Sequence, residues 1–201
     1  MPYPGGDVFP AGSPGPLATV EDLGNYMQQT IAADDPAATF LLLVASGMIR
    51  AYLGQTVSQV TDDVEYVDPV NGSFAALSQL PVTAVSLVEI TNDDGTNWTA
   101  VPPTAYKVSR RRGTITTKWG YNVRWPTDEE SWRVTYTHGF ESVPAEIIGV
   151  CCGLAARYYS TPIAIELERV GQRQVKYAIE SAGFTALESI ALTALRPARL
   201  A

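Results

Sequence analysis

Charge is scarce in this chain: 17% of its 201 residues are Asp, Glu, Lys or Arg, below the roughly one quarter usual for a soluble domain. Much of the surface is therefore uncharged, and part of it is expected to be covered by partners. Histidine is nearly absent. His138 is the only one, so any Ser-His-Asp, Cys-His or multi-histidine metal site has to use it. It closes a β-patterned segment just before Gly139, where an imidazole is expected to cap a turn or face solvent. The two cysteines, Cys151 and Cys152, are adjacent. On a helix their side chains point about 100° apart, which disfavours a shared metal or a mutual disulfide. Buried thiols in a reducing cytoplasm are expected instead. No G-x-x-x-x-G-K-[ST] or G-x-G-x-x-G stretch supports nucleotide binding. No run of about 18 consecutive apolar residues occurs, so no membrane-spanning helix is expected. The opening MPYPGGDVFPAG has neither a basic nor an apolar block, so no secretory signal is expected. Cations are outnumbered, 14 against 21 anions for a net charge of −7, which argues against sequence-specific nucleic-acid binding.

What is present is a globular composition, 46% apolar, with a helical signal at each end and β patterning between. Residues 1–18 hold five prolines and four glycines and read as an extended arm. Thr19 with Asp22 resembles a capping box and opens a short helix through about Ala32. Asp35-Pro36 supplies an N-cap and a first-turn proline for FLLLVASGMIRAYL, stopped by Gly54. That helix is apolar on all sides and is expected to be buried. From about residue 61 to 138 the pattern is β. Val64 and Tyr66 mark a first strand, Ala84–Ile90 a second, and NDDG at 92–95 a turn before residues 98–101. Tyr106–Ser109 and Thr114–Trp119 pair across the Arg110–Gly113 corner. Trp132, Val134 and Tyr136 alternate with polar residues, as in a strand with one buried face. An apolar helix runs from about Pro144 to Tyr159. Residues 163–182 are ambiguous, readable as a short helix and an extended piece broken at Gly171. Thr185 and Glu188 form a capping box for a last helix to about Leu195, before Pro197. The expectation is an α+β fold: a helical core of about four helices with an inserted antiparallel β module, forming a single domain over 19–195. The arm precedes it, and a tail at 196–201 follows.

Several of these segments together resemble the head–tail connector (adaptor) proteins of tailed bacteriophages. They are the helix pair TVEDLGNYMQQT and PAATFLLLVASGMIRAYLG, the strand and turn LPVTAVSLVEI with DG, the strand–turn–helix VTYTHGFESVPAEIIGVCCGLAARYY, and the terminal TALESIALTALRPARL. The likeness spans about residues 19–199; the long arm and His138, where a small residue is more usual, depart from it. It implies a structural, non-enzymatic subunit with no cofactor. Such subunits form a ring, commonly of twelve, in the virion neck after synthesis in the host cytoplasm. The implied partners are the portal protein, a downstream stopper or tail protein, and genomic DNA that passes without specific binding; no membrane is implied. An acidic balance suits a surface that DNA must slide past. Two alternatives carry different roles: another neck or tail-completion (stopper) part, or a small hydrolase or ligand-binding module converging on His138.

The residues expected to meet partners are Tyr3 and Phe9 in the arm, Arg110, Arg111 and Arg112 at the hairpin corner, and Trp125. Leu195, Arg196, Arg199 and Leu200 complete the set; the resemblance implies that the C-terminal segment docks on the portal. Trp98, Trp119 and Trp132 are expected in the core, whereas Trp125 lies in a polar loop before Pro126 and reads as an exposed anchor. The Arg run reads as solvated or paired with the next subunit rather than as a DNA site, because three charges give weak phosphate affinity. Asp62-Asp63 with Glu65, and Asp128-Glu129-Glu130, lack the alternating ligands of a calcium loop and read as solvated loop charges, one of which could face the channel.

Overall fold

Capping residues set the helix boundaries. In the computed structural model, which describes residues 14–118, 120–160, 167–170, 173–176 and 183–196, the order of elements is as follows. Helices α1 (Val20–Met27) and α2 (Pro36–Leu53) precede strands β1 (Val60–Val67), β2 (Phe74–Ala76), β3 (Val82–Ile90), β4 (Thr99–Ala100), β5 (Tyr106–Ser109), β6 (Thr114–Thr117) and β7 (Trp132–His138). Then come α3 (Ala145–Ser160), β8 (Leu167–Val170), β9 (Arg173–Lys176) and α4 (Ala186–Leu195). This is the expected α+β class. The chain forms two compact units, a helical one that it leaves at Gly54 and re-enters at Val143, and a β unit over Gln55–Ser142.

In the helical unit the Thr19 hydroxyl accepts from Asp22 N at 3.0 Å while Asp22 accepts from Thr19 N at 2.8 Å, a reciprocal cap. Helix α1 is shorter than its polar tail suggests, because Gln28 turns left-handed at φ 55° and ends it. Asp35 accepts from Ala37 N and Ala38 N and Gly54, at φ 68°, closes α2. Leu23, Leu42, Ile49, Ile147, Leu154 and Leu192 are fully buried. Ser46 accepts from Leu17 N at 2.8 Å and donates to Leu42 O at 2.6 Å. Arg157 grips Glu188 through two 3.0 Å bonds. Burial opposes ionisation of Glu188, but the Arg157 guanidinium and the Thr185 cap prevail and hold the carboxyl below its usual range.

The ambiguous segment does not contain a helix where it is described. β8 and β9 pair antiparallel, Leu167 opposite Lys176 and Val170 opposite Arg173.

The β unit holds a four-stranded antiparallel sheet of order β1-β7-β3-β4 and a three-stranded one of order β2-β6-β5. Their inner faces share one core, including Ile115, Val88, Val134 and Trp132. β7 is central, and alternate residues Trp132, Val134, Tyr136 and His138 are all buried. β2, three residues with little patterning, was not expected from the sequence; it pairs Ala75 with Ile115. Gly139, at φ 85°, follows β7 where a Cβ would come within 2.9 Å of Val57 O, so only glycine fits there.

Candidate assembly surfaces

Helix α2 is not buried on all sides. Leu42, Ala45, Ser46, Ile49 and Leu53 face inward, but Ala37, Phe40, Val44, Gly47 and Ala51 form an exposed stripe at helical spacing, with Phe40 63% exposed. A helix apolar around its whole circumference carries no sequence signal for which face is covered. By length and composition alone α2, with mean hydropathy 1.5 over 18 residues, could cross a membrane; in this fold its inner face packs on α3 and α4. On α4, Leu187 and Ile190 are also exposed. Leu195 is half-buried and Arg196 exposed, its guanidinium carbon 6.0 Å from the Tyr52 ring centroid. Tyr3, Phe9, Arg199 and Leu200 lie outside the described residues, as does Trp119.

In the β unit Arg110, Arg111 and Arg112 are exposed at the β5–β6 corner and make no ion pair with any described residue. Trp125 does not stand free: it is half-buried, and its ring centroid lies 4.5 Å from that of Trp132. The buried strand residue draws the loop indole down onto the core. A concavity of about 330 Å³ opens where β3 and the β6–β7 loop end. Its wall includes Tyr66, Trp98, Asp94, Asp128, Glu129 and Glu130. The sequence separates these residues by up to sixty-four positions and gives no signal that they meet.

His138 neither caps a turn nor meets solvent. It is fully buried, with Nε2 3.0 Å from Asp63 Oδ2, and its Nδ1 has no hydrogen-bond partner among the described residues. Two-residue periodicity explains this, since His138 continues the buried series 132, 134, 136. Asp63 and Glu65 are likewise not loop charges. They lie on β1 opposite Tyr136 and Val134 and turn carboxylates toward buried polar groups, while Val64 and Tyr66 face outward, 48% and 53% exposed. Tyr136, fully buried, donates its hydroxyl proton to Glu65, which also accepts from Ser78 N at 2.9 Å. Burial foremost, and then the Glu65 contact, raises the phenol pKa far above its ordinary value.

Both thiols are buried. Burial raises the Cys151 pKa against the opposing Ser46 contact, and pushes Cys152 up to about 12. Little thiolate exists at neutral pH, and thiolate is the nucleophilic form. Among the described residues no group of three or more His, Cys, Asp or Glu is placed to hold a metal ion.

Comparison with known proteins places this geometry. No curated protein sequence matches the chain. Two solved chains share its fold over most of their length. One, from the neck of a native GTA particle computed with C12 symmetry, is 16% identical, with TM-score 0.54 over 90% of this chain and 92% of that one. The other, from the neck of an empty GTA particle computed with C6 symmetry, is 16% identical, with TM-score 0.53 over 89% and 90%. The family model for "Head completion protein" matches residues 16–187. By that match over most of its length, the chain belongs to the head completion protein family.

Proposed function

We propose that this protein is a head–tail connector subunit that assembles into a ring between portal and tail and lines the passage for the genome. The chain belongs to the head completion protein family; the place in the neck, the ring, the partners and the absence of catalysis are our reading. The observation that carries it is the family match over residues 16–187, joined to a fold shared with neck chains from particles computed with C6 and C12 symmetry.

The surface chemistry agrees. Exposed apolar side chains on α2 and α4 suit burial between subunits or against a portal. A net charge of −7 lets duplex DNA pass without sticking. The chemistry of an enzyme is poorly served: the single imidazole is buried against a carboxylate, and both thiols are buried and protonated.

Negative-stain electron microscopy of the purified chain, alone and mixed with the portal protein of its own particle, tests the reading. Closed rings with a central hole are expected in at least one condition. A chain that stays monomeric in both overturns it.

A further inference from the structure

The β unit carries two charge features unmatched among the described residues, and they sit at opposite ends of β3. The corner Arg110–Arg111–Arg112 leads into Gly113, whose carbonyl accepts from Leu77 N at 2.7 Å and whose Cα faces Leu80, just before β3 begins at Val82. The concavity begins at Thr91, directly after β3 ends at Ile90. The eight steps between the nine strand residues, at about 3.4 Å each, separate the two by roughly 27 Å, several times the reach of an arginine side chain. The corner therefore cannot fill the concavity of its own chain.

The concavity is acidic, with an aromatic wall. Four carboxylates, Asp94, Asp128, Glu129 and Glu130, line it with no lysine or arginine among the described lining residues. Carboxylates alone would not single out a ligand; the aromatic wall adds a precedent, since a guanidinium of the same chain is already held there, while the four carboxylates remain for an incoming cation. Trp98 already carries the Arg133 guanidinium 4.5 Å from its ring centroid, and Glu89 binds that same group at 2.8 Å. Tyr66 packs edge-on to Trp98, with centroids 5.7 Å apart. An aromatic face with flanking carboxylates is the setting in which arginine binds best, by stacking and by forked hydrogen bonds.

We propose that the Arg110–Arg112 corner of one copy seats in the Trp98 concavity of the next. A knob and a socket at opposite ends of one strand make a heterologous, head-to-tail contact, which yields a ring when the rotation closes and a filament when it does not. This contact rests on the ring reading, and names the surfaces that join its subunits.

The test is charge reversal with exchange. R110E/R111E/R112E reverses the knob, and D128K/E129K/E130K the socket. All six positions are exposed, so circular dichroism and melting are expected to match the parent chain. Each variant alone is expected to lose self-association by on the order of a hundredfold, from like charges facing each other, read by sedimentation velocity. Mixed in equal amounts, the two recover assembly, because reversed knob meets reversed socket and parent knob meets parent socket. Alternating closure needs an even number of copies, as six or twelve would supply. For a weak contact, R111C combined with E129C traps it by oxidation, since both native thiols are buried. A ladder of covalent oligomers is expected. Rings that persist in both reversal variants overturn the contact and leave the ring reading standing. Absence of any covalent ladder overturns the contact as well. Ladders from a chain that forms only open filaments, with or without portal, support the contact and overturn the ring.

Discussion

Replacing Tyr136 by Phe tests whether the polar pair inside the β sheet stabilises the unit or is merely tolerated. The side chain is fully buried and donates to Glu65, whose carboxylate keeps a second partner in Ser78 N. A hydrogen bond to a charged group contributes about 1.5–3 kcal/mol net. The half-exposed Glu65 retains Ser78 and some water, so the lower part applies, about 1.5–2 kcal/mol. All four tryptophans lie between residues 98 and 132, inside the β unit, so indole fluorescence during urea unfolding reports this unit alone. With a slope of roughly 1–3 kcal/mol per molar urea, the midpoint falls by about 1 M. Glu65→Gln completes a cycle whose coupling energy is expected near 1 kcal/mol or more. The phenol adds a pH signature. Its folded pKa is raised above the ordinary 10.0, so its contribution is intact below pH 10 and is lost as pH climbs further. The parent's stability should then decline by up to about 1.4 kcal/mol per pH unit more steeply than that of Y136F. A Y136F midpoint within about 0.2 M of the parent, or a cycle that simply adds, refutes the reasoning.

Three further outcomes follow from the same geometry. Glu188→Gln removes a carboxylate held below its usual value of 4.5; the helical unit should lose about 1–2 kcal/mol at neutral pH. Because that contribution exists above the unfolded pKa and vanishes as pH falls through the folded one, parent and variant should converge only as pH falls well below 4.5, read by far-UV circular dichroism. His138→Ala, silent if the imidazole faced solvent, should cost about 2–3 kcal/mol because it leaves a cavity beside Tyr136 and strips Asp63 of its partner; an unchanged fluorescence midpoint would contradict this. Cys151 and Cys152 should resist a thiol reagent at pH 8 and react fully in denaturant, since burial keeps both protonated; fast native labelling would show the α2–α3 contact to be open.

The sequence carried most of the fold where a boundary has a chemical cause. Thr19, Asp35, Gly54 and Thr185 each end or begin a helix by a bond or a dihedral that the residue type itself supplies, and the β5–β6 pairing across Arg110–Gly113 follows from length and corner alone. Legibility failed where position depends on a distant neighbour. Nothing local says that α2 exposes Phe40 rather than Leu42, since both are apolar and only the packing of α3 and α4 decides. Nor does local pattern say that β1 turns Asp63 and Glu65 inward: a strand of VTDDVEYV reads with its valines and tyrosine inside until Tyr136 and His138 on β7 are seen to need acceptors.

The same asymmetry governs the assembly surfaces. A run of three arginines has one meaning in a list and another when its place is known. In the list it reads as solvated or paired with a neighbour rather than as a DNA site, and nothing chooses between those two. Placed at one end of a 27 Å strand whose other end holds four carboxylates beside Trp98, it has no ion-pair partner among the described residues, and duplex DNA would have to approach a subunit of net charge −7. A second copy supplies the missing counter-charge without any new component, and supplies it in the one direction that lets identical subunits follow one another around a ring. Specificity of this kind resides in the distance between two features rather than in either of them, which is why the fold had to be known before the partner could be named.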